Sequence, residues 1–381
     1  MSGTTLALAL VGLVLGAELL ARQPGLRRLG SALLVILLGA LAGNLGFIPT
    51  RASTPIYGWI FAYLAPLSIF WLLLGVDLRS ILRAGRPMLL AFLVGAVGTT
   101  LGVVAGTYLG GTRAAFGTEA APLAGMFAGT YIGGSINFNA VALEYGLVSD
   151  GGLYAGAVAI DNILTAIWMM ACLAAPRVLA PLWGRARKTP VLGKAAIELA
   201  TEVPEPVGVF DLAAIGALGL GALVSKDLLV ELLARAGLDV PGMLVLTTLA
   251  LIAGQIPMIR RLRGAHALGM LSVQLFLGVI GALCELSALR GFEGALALAV
   301  LAVTTVAVHG LLVFGGARLL RLDVETATVA SQANVGGGTT ALALARTLGR
   351  PDLAVPGILV GSLGTALGTF VGFFVASTLG S

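Results

Sequence analysis

Twelve apolar runs, each close to the length of a membrane-spanning helix, follow one another along this chain and leave little else to fold. A spanning helix needs about 20 mainly apolar residues. The runs near 4–21, 31–48, 57–76, 87–109, 121–146, 153–175, 208–224, 242–257, 266–288, 293–316, 324–347 and 353–378 meet or approach that length. Of 381 residues, 58% are hydrophobic and only 11% are Asp, Glu, Lys or Arg, too few charges to clothe a soluble domain of this size. The expected class is therefore all-α, a polytopic membrane protein whose first partner is the lipid bilayer. The formal charge of +5 gives no reason to expect nucleic acid. The arginines fall in short clusters between apolar runs, where they report orientation and headgroup contact. Cys172 and Cys284 both lie inside apolar runs and imply no disulfide framework. Residues 1–21 have no basic residue ahead of their apolar stretch, Arg22 being the first, so they read as a retained first span rather than a signal peptide.

The order of the runs carries a second message. Residues 177–207 form the one long polar stretch and divide the chain into a first membrane repeat, 1–176, a linker, 177–207, and a second repeat, 208–381. Gly133-Gly134, Ala140, Ala142 and Gly146 meet Gly336-Gly337, Ala343, Ala345 and Gly349 at a shift of about 203 residues. Thr165-Ala166 meets Thr365-Ala366 if about three residues are gapped. In the first half the arginine-rich loops follow spans 1 and 3 (Arg22, Arg27, Arg28; Arg79, Arg83, Arg86), whereas Arg51 and Arg113 stand alone after spans 2 and 4. The second half reverses this, with basic loops after spans 8 and 10 (Arg260, Arg261, Arg263; Arg318, Arg321). Under the positive-inside rule the two copies cross in opposite senses, an inverted repeat. The N-terminus is expected outside and the C-terminus in the cytoplasm, in the inner (plasma) membrane of the cell. Inversion needs an odd number of crossings between copies. Either the linker adds one or a candidate is not a full span, and the seventh, 211–224, is the short one that runs into the amphipathic 226–237.

Chemistry is expected where polar groups interrupt the apolar runs. The fifth span contains GTYIGGSINFNA (Gly129 to Ala140) and the eleventh SQANVGGGTTA (Ser331 to Ala341). Adjacent glycines loosen a helix, and exposed backbone at membrane depth is tolerated only beside protein or a water-filled cavity. A broken helix offers N–H groups to anions and unwound carbonyls to cations. The candidate ion and substrate ligands are Asn137, Asn139 and Ser135 beside Gly133 and Gly134. Opposite them stand Ser331, Gln332, Asn334, Thr339 and Thr340 beside Gly336, Gly337 and Gly338. The plainer alternative for either motif is helix packing on glycine with asparagines bonding across helices. Asp161 and Asn162 sit in the sixth span, where an ionised side chain costs about 3 kcal/mol or more and acids usually carry function. Asp161 is the candidate sodium ligand. Glu285 and His309 are weaker intramembrane candidates; Glu18, Asp77 and Glu144 fall near span ends, Asn44 and Gln255 read as links between helices, and Pro66 marks a kink. No nucleotide loop, metal-ligand spacing or catalytic triad is present, so neither an enzyme nor a resident cofactor is expected.

SQANVGGGTTALALA, the following PGILVGSLGTALGT (Pro356 to Thr369), GGSINFNAVA and Asp161-Asn162 together resemble a bacterial family known as domain of unknown function 819. The resemblance runs along most of the chain and is weakest in the linker; where that family favours proline after the second glycine pair, this chain has Gly338. It implies membership of the cation–proton antiporter and anion transporter superfamily. In that superfamily two broken helices cross in a core domain that slides, elevator-like, against a panel domain. Spans 5 and 11 would then be the crossing pair, with 6 and 12 in the core and 2 and 8 in the panel, and panel contacts would make a homodimer. The antiporters carry Asp-Asp or Asn-Asp after the first crossing helix, whereas this chain has the order Asp161-Asn162. The expected function is a secondary transporter, a sodium- or proton-coupled symport carrier of a small organic solute. A sodium–proton antiport carrier and a non-transporting scaffold or receptor are the alternatives.

Overall fold

A computed structural model of the protein describes residues 1–24, 26, 30–50, 54–79, 81–179, 181, 183, 207–238, 240–283 and 294–380. Among the described residues every regular element is helical, as lipid requires when each backbone group must find its partner inside the segment. The helices are α1 (Gly3–Ala21), α2 (Gly30–Asn44), α3 (Pro55–Leu73), α4 (Arg86–Leu109), α6 (Gly151–Leu179), α7 (Val209–Arg235), α8 (Gly242–Ala253), α9 (Ala265–Leu283), α10 (Ala295–Leu319) and α12 (Ala354–Gly380). The fifth and eleventh spans are each interrupted, as α5a (Ala120–Gly133) with α5b (Ser135–Glu144), and α11a (Val324–Val335) with α11b (Gly337–Thr347). Among the described residues each of the twelve apolar runs thus contains helix. Eight helices among the described residues are long and apolar enough to cross a membrane unbroken, and the chain is a multi-pass membrane protein.

Two details depart from the sequence reading. The seventh span is not short: α7 continues through Lys226 to Arg235. Its added charges find local partners, Lys226 with Asp227 at 2.8 Å and Glu231 with Arg235 one turn on, so the amphipathic stretch extends the helix. The seventh candidate is therefore a full-length helix, whereas α2 and α8 are the short ones; residues 184–206, which would supply a crossing in the linker, lie outside the described residues. Second, Pro66 does not act alone. The helix widens into a π turn over Ile60–Leu64, where Ala65 N–H reaches back to Ile60 O. That loosened turn lies directly before a residue that has no N–H to give.

The chain divides into two compact units that each draw on both halves of the sequence. The first comprises Met1–Gly75, Ala142–Ile163 and Val207–Leu296; the second comprises Val76–Val141, Leu164–Pro206 and Ala297–Ser381. In the first unit α2 packs most closely on α9. Glycine makes this possible: a Cβ on Gly43 would lie 2.7 Å from Ala282 O. Lipid supplies no hydrophobic drive between helices, so close backbone approach and dispersion hold them. Glu144, at the end of α5b, accepts N–H bonds from Gly242 and Met243 at 2.8 Å each. It caps the N-terminus of α8, where a carboxylate meets the positive end of the helix dipole, rather than merely reaching for water.

In the second unit α12 packs most closely on α5a. Gly125, Gly129 and Gly133 rise at four-residue spacing on α5a, and Gly364, Gly368 and Gly372 do so on α12. A Cβ on Gly125 would lie 2.6 Å from Gly372 O, and one on Gly133 would collide with the Gly364 backbone. A similar seam joins α4 to α10, where Cβ atoms on Gly102 and Gly106 would lie 2.6 Å from Thr305 O and 2.8 Å from Leu301 O.

Candidate functional site

Both glycine pairs break their helices. Gly134 adopts φ +90° and Gly337 φ +78°, backbone that a side chain rarely permits. Beyond each break the chain takes the same course. A short helix ends at a left-handed glycine, Gly146 or Gly349, both at φ +69°. A 3-10 turn comes next, Leu147–Ser149 or Pro351–Leu353, and then a long helix starts, α6 at Gly151 and α12 at Ala354. The breaks, the left-handed glycines and the helix starts are each separated by 203 residues. That register needs no gap, so it sets Thr365 against Asn162 rather than Thr165, and Gly364 against Asp161.

A helix that stops leaves its last four carbonyls without intrahelical donors. At the end of α5a, Thr130 O accepts from Gly134 N–H at 2.7 Å. Tyr131 O accepts from the Thr99 hydroxyl of α4 at 3.0 Å, and Gly133 O lies 3.2 Å from the Thr365 hydroxyl of α12, whose one proton it shares with Gly361 O at 3.0 Å. Ile132 O lies against Gly364, where any Cβ would strike it. The second break is held from within. Gln332 Nε2 of α11a donates across it to Thr340 Oγ1 of α11b at 3.1 Å, and the Thr340 hydroxyl donates to Gly337 O at 3.0 Å.

One turn of α12 touches both breaks. A Cβ on Gly361 would run into Gly337 and Gly338 of the second, and one on Gly364 into Ile132 and Gly133 of the first. Residues three apart lie within one helical turn, about 5 Å of rise. The two interruptions, 203 residues apart in sequence, thus meet across α12 in the second unit.

Two fully buried amides here carry an unpaired atom. Asn137 Oδ1, in the first turn of α5b, accepts from the Thr369 hydroxyl at 2.7 Å, while its Nδ2 has no partner among the described residues. Gln332 uses its amide nitrogen on Thr340, and its Oε1 has no partner among the described residues. Leaving a buried polar atom unsatisfied costs about 1–3 kcal/mol, so each calls for an explanation, a bound water or ion among them; Thr112, Thr247 and Gln274 carry such atoms elsewhere in the described residues. One offers a donor and the other a carbonyl acceptor of the kind that hard cations take.

Beside Gln332, Ser331 anchors a buried network. Trp168 Nε1–H of α6 donates to its hydroxyl at 3.0 Å. The hydroxyl proton then goes to Nε2 of His309 on α10, 2.8 Å away. His309 Nδ1 faces Gly95 O at 2.9 Å and Thr99 Oγ1 at 3.0 Å. The Thr99 proton is committed to Tyr131 O, so Nδ1 must be the donor and Nε2 the acceptor. Donors therefore run one way from Trp168 to a carbonyl released by the first break, and a neutral imidazole satisfies every one of them. The arrangement makes His309 a positioning residue for Ser331. Asn334 adds a link from α11a to α4, its amide nitrogen donating to Phe92 O and Ala330 O at 3.2 Å each.

The second unit therefore gathers Gly133, Gly134, Asn137, Gln332, Thr340, Gly336, Gly337 and Gly338 about α12, with Ser331 and Asn334 on the flanking network. Asn139 is buried, while Ser135 and Thr339, each in the first turn after a break, are exposed. Asp161 is buried on the part of α6 that belongs to the first unit, next to Asn162, whose Nδ2 donates to Val158 O at 2.8 Å. Asn44 and Gln255 likewise donate within their own helices, to Ala40 O and Leu251 O at 2.8 Å. Glu285 and Cys284 lie outside the described residues. Sequence reasoning missed Thr99, Trp168, Gly361, Gly364 and Thr369. The four-residue spacing of glycines along α12 was the available signal.

A family model described as a protein of unknown function, DUF819, matches residues 5–381. The uncharacterized membrane protein YjcL of Bacillus subtilis (strain 168) is 29% identical over 370 residues, which cover 92% of this chain and 90% of that protein.

Proposed function

We propose that this chain, which belongs to the DUF819 family, is a secondary active transporter: a sodium- or proton-coupled carrier of a small organic solute, working in the inner membrane by an elevator-like movement. The observation that carries this reading is the meeting of two broken helices on one turn of α12, with unpaired atoms of Asn137 and Gln332 buried beside them. Bound cation would take the carbonyl of Gln332 and oxygens of the second break. A solute acceptor group would take the Asn137 amide. Bilayer-depth polar backbone of this kind is retained where it lines a path for ions or solutes. The partition of helices supports a moving core in part: α5a, most of α5b, α11 and α12 share one compact unit and α2 and α8 belong to the other, while α6, expected in the core, is divided between them at Ile163 and Leu164. The N-terminus would lie outside and the C-terminus in the cytoplasm, following the arginines.

A second reading, sodium–proton antiport, is favoured by one observation. Asp161 is a buried acid in α6 at the register that Gly364 occupies in α12, where it would serve as the sodium or proton site. Proton flux in reconstituted vesicles, read by a trapped pH dye on adding sodium and then potassium, separates the readings. Antiport moves protons on cation addition alone and loses this in Asp161→Asn. A solute carrier gives no such movement, but accumulates solute down an imposed cation or proton gradient, and loses that in Asn137→Ala. A scaffold or receptor shows neither flux, and keeps its function in Asp161→Asn.

A further inference from the structure

The first unit carries a groove that the proposed transport site does not use. It has a volume of about 850 Å³ and an almost wholly apolar lining. Its floor is a strip of small residues on α7, Ala214, Ala217, Gly221 and Ser225, where missing side chains leave a channel against Phe70 of α3. Leu249 and Ala253 of α8, with Met258 and Ile259 beyond it, make the other wall. From Phe210 to Ser225 the lining follows α7 for about 22 Å at 1.5 Å per residue, against about 15 Å for one leaflet of hydrocarbon. An extended acyl chain fits that shape.

One end of the groove is basic. Arg261 lines it, and Arg260 and Arg263 stand in the same short loop, all three exposed. Among the described residues Arg261 makes no ion pair. The one acid in the lining, Asp211, is occupied with backbone: it accepts from Gly208 N–H at 3.1 Å and Arg263 N–H at 3.4 Å. The second bond holds the arginine loop at the N-terminal end of α7, so the positive charge is fixed at the mouth of the apolar channel. A second copy of this chain would suit the groove poorly. A twofold axis along the membrane normal would bring two arginine clusters to the same side of the bilayer, facing one another. An anionic headgroup above an acyl chain meets both features at once, arginine being suited to phosphate.

We propose that this groove is a binding site for an anionic phospholipid, with one acyl chain along α7 and the headgroup phosphate on Arg261 and its neighbours. The site is independent of the transport reading. Native mass spectrometry of the detergent-purified protein tests it, with phosphatidylglycerol and phosphatidylcholine supplied in equal amounts. Wild type is expected to retain phosphatidylglycerol at collision energies that strip phosphatidylcholine. Arg261→Gln should weaken that retention about fivefold, and the Arg260→Gln, Arg261→Gln, Arg263→Gln triple variant about a hundredfold. Ala217→Trp, which fills the channel and leaves the arginines in place, should lose bound lipid as well. Equal retention of the two lipids by wild type would overturn the proposal. So would unchanged selectivity in the triple variant, or a dimer that Ala217→Trp dissociates with no change in lipid.

Discussion

The two broken helices share a backbone plan and differ in what holds them open. At the first break, the carbonyls that α5a releases are met from outside, by Thr99 of α4 and Thr365 of α12, while Gly133 rests on the Gly364 backbone. At the second, α11 bridges its own gap through Gln332, Thr340 and Gly337, although its glycines too rest on α12 backbone, Gly338 against Gly361. Both breaks therefore rest on backbone that cannot yield, and they differ in their polar bonds, drawn from other helices at the first and from α11 itself at the second. A break fixed by its own amide and hydroxyl can rearrange within one element. Under the proposed function, the second break would be the one whose own bonds change when a ligand takes Gln332, and the first would keep the bonds it draws from other helices.

The largest expected effect tests the comparison at the first break. Gly133→Ala drives a methyl into Gly364 with nothing flexible to move, and should cost more than about 3 kcal/mol; gel filtration in detergent would show loss of the folded peak. Gly336→Ala, the counterpart residue, meets side-chain atoms first, the Gln332 amide nitrogen and the Thr340 hydroxyl and Cβ. It should keep the fold and lose about 1–2 kcal/mol.

Next in size is the network that ties α11a to α4. Ser331→Ala removes the partner of both Trp168 Nε1–H and His309 Nε2. Two stranded buried groups should lower stability by about 2–4 kcal/mol in thermal unfolding. A loss under about 1 kcal/mol would mean the relay is not formed as described.

The smallest effects are the most discriminating. Thr340→Val and Thr365→Val each remove one hydroxyl from a break, at about 0.5–1.5 kcal/mol. Hydrogen exchange should quicken through α11b in Thr340→Val, because the clasp there is internal. In Thr365→Val the amides of α5b should stay as protected as in wild type, since glycine packing still holds that break. Equal loosening at both sites would erase the distinction between them.

Much of this was legible in the sequence because the bilayer restricts what apolar runs can become. Each of the twelve runs contains helix among the described residues, and the two glycine pairs are breaks, since glycine alone readily takes the positive φ seen at Gly134 and Gly337. The repeat distance was legible as well, and the helix starts carry it without a gap. What stayed hidden depends on contacts between distant segments. Nothing in the order of residues says that Gly361 and Gly364 would separate two breaks by a single turn, or that Thr369 would take Asn137 Oδ1. The four-residue glycine spacing pointed to close packing but not to its partner. His309 read as an undecided intramembrane histidine, because its role rests on Trp168, Ser331 and Thr99, drawn from three other helices. Glu144 read as a snorkelling end residue because its true partners, the N–H groups of Gly242 and Met243, lie nearly a hundred residues away.

The central claim, that the breaks belong to a path opened in turn to the two sides of the membrane, can be tested before any solute is known. Ser135 and Thr339 are exposed in the first turn after each break. In a background with Cys172 and Cys284 replaced by serine, Ser135→Cys and Thr339→Cys would be challenged with a membrane-impermeant maleimide from either face of sealed vesicles. A carrier predicts labelling of each cysteine from both faces, at rates that shift with sodium or pH. Labelling from one face only, indifferent to either ion, would contradict it.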